Sequence, residues 1–402
     1  MKLVTNSKKV TEVLKRGVAE VIDKDHLEKR LRSGKRLRVK FGIDPTSTDL
    51  HLGHSIPLRK LKQFQNLGHQ VIFLIGDFTA RIGDPSARLD KRKMLTEKEI
   101  KRNMQDYIRQ AAKILNIKKV EIRYNSEWYA DKNASFLMDL SSRFTYARLI
   151  EREEFKKRIE KEIDVSMLEL LYPLLQGYDS VALKSDVEIG GTDQKFNLVF
   201  ARRVQRKYGQ PQQDIMTLPL LIGTDGEKKM SKSYQNYIKF TEKPTKMFGQ
   251  IMAIPDLLIW HYFDLLTNLS LAEIKKIKED VHKTILNARE AKAKLAKEIV
   301  GLYHGEKAAK VAEKEFNKVF KEKGLPSQIP IFTVLKKTSY PLIDLLFDAK
   351  LTSSKSEARR VISQGGIKID GKVKKDWQEK IELKEGQIIQ VGKRKFLKIK
   401  IK

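Results

Sequence analysis

The chain has 402 residues, 41% of them hydrophobic, with 81 Lys and Arg against 51 Asp and Glu, a net charge of +30, seven His and no Cys. That length accommodates two or three domains around a large apolar core, and no stretch approaches the ~20 uninterrupted apolar residues of a bilayer-crossing helix. The absence of cysteine excludes disulfides, thiolate metal sites and cysteine nucleophiles and fits a reducing cytoplasm, while the cationic excess attracts a polyanion, most often a nucleic acid, unless it is a solvated lysine-rich surface.

In chain order, the N-terminus MKLVTNSKKVTEVLKRG lacks the apolar run of a secretory signal. The first forty residues place Val10, Val13, Leu14, Val18, Val21 and Ile22 at helical spacing and predict amphipathic helix. From RVKFGID onward, short β-rich runs at 38–43, 70–75, 119–123, 186–189 and 215–222 alternate with helical stretches such as SIPLRKLKQFQNLG and DQKFNLVFARRVQRKYG. This alternation predicts an α/β domain over 1–240, a doubly wound parallel, Rossmann-like sheet preceded by the helical segment. Ligands of such sheets bind at the carboxyl ends of the strands. The first parallel strand ends at Ile43, which puts FGIDPTSTDLHLGH (41–54) at such an end.

The β signal disappears near Glu242, and 241–335 reads as an all-helical, lysine-rich domain. A third domain, 336–402, combines LLFDAKLTSSKSEARRVISQ, a Gly-Gly turn and short alternating strands, a small α+β module. Over 341–402 there are 16 basic and 8 acidic side chains, a net of +8.

Four stretches carry chemistry. In HLGH, His51 and His54 stand at i, i+3 after Thr46, Ser47, Thr48 and Asp49, which can cap a helix there. The free N–H groups and dipole of a helix start suit a phosphate, and Gly53 lets a ligand approach the backbone. No thiolate or third histidine lies near, which argues against zinc. Alone, the pair reads equally well as two surface histidines. KKMSKS (228–233) follows an apolar strand and a TDG turn; such a cationic loop can fold over a polyphosphate, although alone it is an ordinary solvated turn. YPLLQGYD (172–179) puts Tyr172, Gln176 and Asp179 on one helix face, and EIGGTDQKFN (188–197) puts a Gly-Gly turn and Asp193-Gln194 at a strand's carboxyl end.

Paired, HLGH and KMSKS resemble the HIGH and KMSKS motifs that flank ATP in class I aminoacyl-tRNA synthetases. With GDPS (83–86), YxxxQxxD and GG[ST]DQ the pattern resembles the tyrosyl-tRNA synthetases, from roughly Val39 to Tyr237 and again at the C-terminus. The resemblance implies activation of L-tyrosine by ATP to tyrosyl-adenylate and diphosphate, then transfer to the 3′-terminal adenosine of tRNA(Tyr). It implies catalytic roles for Thr46, His51, His54, Lys229 and Lys232, and ATP contacts from Asp44, Gly53, Asp193 and Lys232. The implied tyrosine pocket is Asp44, Thr79, Asp84, Tyr172, Gln176, Asp179 and Gln194. Within it Asp84, Tyr172 and Gln176 hold the α-ammonium, Asp179 takes the phenolic hydroxyl and Gln194 lies near the carboxylate. Polar groups built for a hydroxyl reject phenylalanine because they would be left unpaired, a logic for which tyrosyl-tRNA synthetases are the standard illustration.

The C-terminal module resembles an S4-type RNA-binding domain, with Lys355, Arg359 and Arg360 directed at phosphates; a basic dimerisation module is the alternative. The helical region falls where the family carries its anticodon-contacting domain. The resemblance further implies Mg²⁺ carried with the nucleotide and no protein metal site, a homodimer, a cytoplasmic location and no membrane association. One position departs from it: many members carry a tyrosine four residues before the aspartate of the first motif, and here that residue is Lys40, so the partner of Asp179 is open. Two rivals stand beside this reading. A tryptophan-specific relative would have no use for Asp179, and a non-catalytic RNA-binding protein of the same fold would not be expected to keep HLGH and KMSKS intact.

Overall fold

The computed structural model describes residues 3–85, 95–322, 324–327, 329–334, 339–392 and 395–402. Among them six strands form the main sheet: β1 (Glu20–Ile22), β2 (Arg38–Ile43), β3 (Gln70–Ile75), β4 (Val120–Tyr124), β5 (Val187–Gly191) and β6 (Asp214–Leu218), in the order β1-β6-β5-β2-β3-β4. β2 through β6 are parallel, with Val39 opposite both Val71 and Val187. The central strands are near-continuous apolar runs because helices cover both faces; Val39, Val71, Ile72, Phe73, Ile75, Val187, Ile215 and Met216 are all buried. From β2 the chain winds outward through β3 to β4, then returns to the other side of β2 for β5 and β6. The strand order therefore reverses between β2 and β5, and a crevice opens there at their carboxyl ends.

The strand expectations are met with shifts at their ends. β6 stops at Leu218 rather than running to 222, because Pro219 has no N–H to extend the ladder. The N-terminal expectation needs a correction. Helices Ser7–Lys15 and Lys24–Arg32 form, but β1 lies between them and pairs antiparallel with β6, Val21 opposite Met216. Gly17, at φ +58°, turns the chain out of the first helix, and Asp23 caps the second by accepting from His26 N at 3.3 Å.

Two long helices carry site residues. Leu52–Leu67 begins directly after His51 and ends at Gly68, φ +92°. Met167–Leu183 starts with a capping box in which Ser166 N donates to Glu169 Oε2 at 2.9 Å, and Arg158 pairs with the same glutamate at 2.6 Å. It packs on Lys195–Lys207 across Gly177, where a Cβ would run into Val204 and come within 3.3 Å of Ala201 Cα.

The chain groups into two compact units, Met1–Lys310 and Val311–Lys402. Helices Pro244–Met252, Ile259–Leu266 and Ala288–His304 belong to the first. There the buried Arg16 guanidinium donates to the Asp264 and Thr267 carbonyls at 3.3 and 3.0 Å, tying the N-terminal helix to the end of Ile259–Leu266. The second unit holds a sheet in the order Lys372–Lys374, Ile367–Ile369, Ile388–Val391, Lys395–Ile401, Ile331–Val334, antiparallel except for the last pair. Helices Leu342–Asp348 and Lys355–Ser363 close its core of Leu342, Leu345, Leu346, Ala358, Ile362, Ile367, Ile389 and Ile399. Among the described residues no helix is long and apolar enough to cross a membrane.

Candidate active site

A cavity of about 340 Å³ occupies the crevice at the strand-order reversal. Asp44, Thr46, His51, Gly53, His54, Thr79, Asp84, Tyr172, Gln176, Asp179, Asp193, Gln194 and Lys229 line it. Lys232 stands beside it, its ammonium on Ser47 Oγ and the Asp49 carbonyl. Residues up to 188 positions apart in the chain are thus gathered around one space. Ser86 of GDPS lies outside the described residues.

At one end the polar groups form a chain. Asp44 Oδ1 accepts from Thr79 Oγ1 at 2.8 Å and its Oδ2 from Tyr172 Oη at 3.0 Å. Gly76 makes this possible, since a Cβ there would collide with Asp44 Oδ1 and approach Thr79 Oγ1 to 2.5 Å. Asn125 Nδ2 reaches Thr79 Oγ1 at 2.9 Å and Asp179 Oδ2 at 3.4 Å, and Trp128 Nε1 donates to Asp179 Oδ1 at 3.0 Å. Burial raises Asp179 to about 6; the Lys40 ammonium and the hydrogen bonds from Trp128, Tyr129 and Asn125 oppose a further rise. Tyr172 stays a neutral phenol, held well above its usual range by burial and by the Asp44 carboxylate. Gln176 Oε1 is shut off from solvent and has no hydrogen-bond partner among the described residues. A buried acceptor in that state calls for a donor from a ligand.

Lys40 also lines this cavity, with its ammonium held by side chains around it. It is fully buried, paired with Glu188 Oε1 at 2.9 Å and bonded to Ser180 Oγ at 2.8 Å. Asn125 and Trp128, which hold Asp179, escaped the sequence reading. Their signal was positional, because YNSEW begins where β4 ends and so sits at a carboxyl end like the other site loops.

At the other end the two histidine rings lie 3.9 Å apart, and His51 N donates to His54 Nδ1 at 3.1 Å. That bond leaves the proton of neutral His54 on Nε2. Desolvation and the Lys232 charge lower His54 to about 3, and desolvation with the His54, Lys232 and Lys229 charges holds His51 well below its usual value. Both rings are therefore neutral hydrogen-bonding groups at pH 7. The KKMSKS segment is folded down beside them. Met230 N donates to Leu221 O at 2.6 Å, and Asn236 accepts from Ser231 N and donates to Asp225, both at 2.8 Å. Lys229 pairs with Asp193 at 2.8 Å, and burial lowers Lys232 to about 8. Downstream, Leu52 N donates to Ile238 O and Phe240 N to Leu50 O, both at 3.0 Å, so the two motifs share a backbone connection.

The family model described as tRNA synthetases class I (W and Y) matches residues 32–321, and the model of the tyrosine–tRNA ligase SYY-like C-terminal domain matches 321–399. Over 388 residues the chain is 46% identical to a tyrosine–tRNA ligase of Thermotoga maritima, spanning 96% of each. Over 416 residues it is 47% identical to one of Carboxydothermus hydrogenoformans, spanning 98% of each. The chain belongs to the tyrosine–tRNA ligases of class I. Among solved structures, a C-terminally truncated mitochondrial tyrosyl-tRNA synthetase of Aspergillus nidulans matches with a TM-score of 0.68 at 25% identity, over 78% of this chain and 95% of that one. The Archaeoglobus fulgidus tyrosyl-tRNA synthetase complexed with L-tyrosine shares the fold at a TM-score of 0.61 and 21% identity, over 76% of this chain and 99% of that one.

The second unit carries the basic residues of the C-terminal module. There Lys355 is paired with Asp344 at 2.7 Å, and the Arg359 guanidinium lies 4.1 Å from the centre of the Trp377 ring. Arg360 is exposed on the same helix. Among the described residues no group of three or more His, Asp or Glu side chains gathers to hold a metal.

Proposed function

We propose that this ligase forms tyrosyl-adenylate in the cavity between β2 and β5 and passes the tyrosyl group to the terminal ribose of tRNA(Tyr). The observation that carries the residue assignment is the unpartnered buried oxygen of Gln176 beside Asp84 and Tyr172 in one cavity wall. A carboxylate and neutral oxygen atoms suit a buried ammonium, which only donates. Asp179, held by Trp128 and Asn125, accepts the phenolic hydroxyl at the far end. The tyrosine carboxylate then attacks the α-phosphorus of ATP and pyrophosphate departs. Thr46 and His51 contact the triphosphate, Gly53 lets it approach the backbone and His54 supports the nucleotide, while Asp44 and Asp193 contact the nucleoside. Lys229 and Lys232 exchange their present partners for the leaving phosphates. No side chain acts as a nucleophile; positioning and charge stabilisation supply the rate. Mg²⁺ bound to the triphosphate neutralises part of its charge when present. In the second step a ribose hydroxyl attacks the acyl carbon and AMP leaves.

The segment 241–335, helical up to Phe320 but contributing the strand Ile331–Val334 to the second unit's sheet, and the basic module 336–402 are assigned to tRNA, Arg360 being an exposed cation of the module's helix. The assembly is assigned as a cytoplasmic homodimer. A run of exposed apolar side chains between 137 and 168, among them Met138, Tyr146, Ile159, Met167 and Leu168, supports it. ATP–pyrophosphate exchange with tyrosine, phenylalanine and tryptophan tests the activity. Exchange with tyrosine far above the other two is the expected result, and exchange with tryptophan alone overturns it.

A further inference from the structure

Behind the amino-acid end of the cavity, four side chains close a polar ring. Arg152, 1% exposed, stands at the head of the helix Glu153–Glu160, with its guanidinium 5.3 Å from the Phe155 ring centre and 5.9 Å from that of Phe196. Its Nε pairs with Glu154 at 3.1 Å. One terminal nitrogen lies 3.5 Å from Asp84 Oδ1, and the other donates to Asn197 Oδ1 at 3.3 Å. The fully buried Asn197 donates from Nδ2 to Gln194 Oε1 at 3.1 Å, and Gln194 Nε2 donates to Asp84 Oδ2 at 2.6 Å. The direction of every link follows from the first. A guanidinium only donates, so Asn197 turns its oxygen to Arg152 and its nitrogen to Gln194, which in turn aims its own nitrogen at the carboxylate. Asp84 and Gln194 line the cavity, whereas Arg152 and Asn197 stand behind them.

We propose that Arg152 and Asn197 are positioning residues for the amino-acid subsite. The ring fixes the Asp84 carboxylate and the Gln194 amide, so the substrate's ammonium meets a preorganised partner. Arg152 sets the polarity of the ring from a fixed charge clamped between two aromatic rings, a task its planar, two-pronged donor fulfils and a lysine does not. The inference rests on the reading of Asp84 as part of the ammonium site.

Two competitive probes separate a positioning role from a structural one. Tyramine carries the ammonium without the carboxylate, and 3-(4-hydroxyphenyl)propanoate the carboxylate without the ammonium. In Arg152→Met the KM for tyrosine and the Ki for tyramine are expected to rise about tenfold, the cost of a lost charge-assisted contact. The KM for ATP is expected to stay within about threefold, and the Ki for the propanoate, whose carboxylate meets Gln194 and so feels Arg152 only through Asn197, is expected to rise clearly less than that for tyramine. Arg152→Lys, which keeps the buried charge but cannot bridge both neighbours, and Asn197→Ser are expected to move the same two constants in the same direction. Equal weakening of both probes, or no change in either, overturns the proposal. Failure of all three variants to fold makes the pair a folding element and overturns it as well. A wild-type protein without tyrosine-dependent exchange would instead defeat the functional reading itself.

Discussion

Asp179 shows how a residue's chemistry is set by what surrounds it. Burial lifts its carboxyl to about 6, with Lys40, Trp128, Tyr129 and Asn125 limiting the rise. Below that pH it is a neutral acid; above it, a carboxylate that accepts a phenol by the stronger, charge-assisted bond. The sign for catalysis follows: kcat/KM for tyrosine is expected to climb between about pH 5 and 7, then to fall once Lys232, lowered by burial to about 8, loses its proton, since this ratio reports the free enzyme's ionisations. His54, at about 3, and His51, well below its normal range, do not titrate in that window. Asp179→Asn is expected to remove the rising limb, and a limb that persists unchanged in that variant belongs to another group. Asp179 itself was legible from its place in YxxxQxxD, but its partners Trp128 and Asn125, 51 and 54 residues earlier, were not. The partner of Lys40 was illegible for the same reason. A lysine in a strand pattern gives no hint that Glu188, from a neighbouring parallel strand, will neutralise it.

Among the elements, the KKMSKS segment is the one whose arrangement bears most directly on the reaction. Its lysines rest on Asp193, Ser47 and the Asp49 carbonyl, and the Asn236 amide ties Ser231 to Asp225 and to the Lys229 carbonyl, the last at 3.1 Å. In the proposed mechanism this segment acts on charge that develops as pyrophosphate leaves, so its loss falls on the chemical step. In Lys232→Ala the rate of adenylate formation is expected to drop about a hundredfold, with the tyrosine Kd within about twofold. Asn236→Ala is expected to give a smaller loss of the same kind. Rapid-quench adenylate formation beside equilibrium tyrosine titration separates the two effects; a raised Kd with an unchanged rate would contradict the assignment. The end of the helical stretch SIPLRKLKQFQNLG was legible because Gly68 closes it. The short strand β1 was not, because its three residues are strand only by virtue of β6 beside them.

For the whole molecule, charge and exposed apolar surface describe two different kinds of association. The net charge of +30 suits a polyanionic partner. The uncharged exposed side chains of the catalytic segment suit a second copy of the chain. Sedimentation equilibrium is expected to give a dimer for the wild type and a monomer for Met138→Glu combined with Met167→Glu, since both positions are more than 70% exposed and a buried unpaired charge is costly. A wild-type monomer at micromolar concentration, or a dimer that survives both substitutions, would place the interface elsewhere.

The sequence by itself determined the α/β class of the first part, the parallel strands, the carboxyl-end location of the cavity and the two motifs that meet there. Each of these depends on spacing within a short window or on the chemistry of adjacent residues. Only the tertiary structure decided what holds those motifs: the Asp44–Thr79–Asn125–Asp179 chain, the Lys40–Glu188 pair and the ring through Arg152. The physical reason is that a buried polar group must be satisfied wherever the fold brings it. Its partner is chosen by proximity in space, and no periodicity along the chain records that choice.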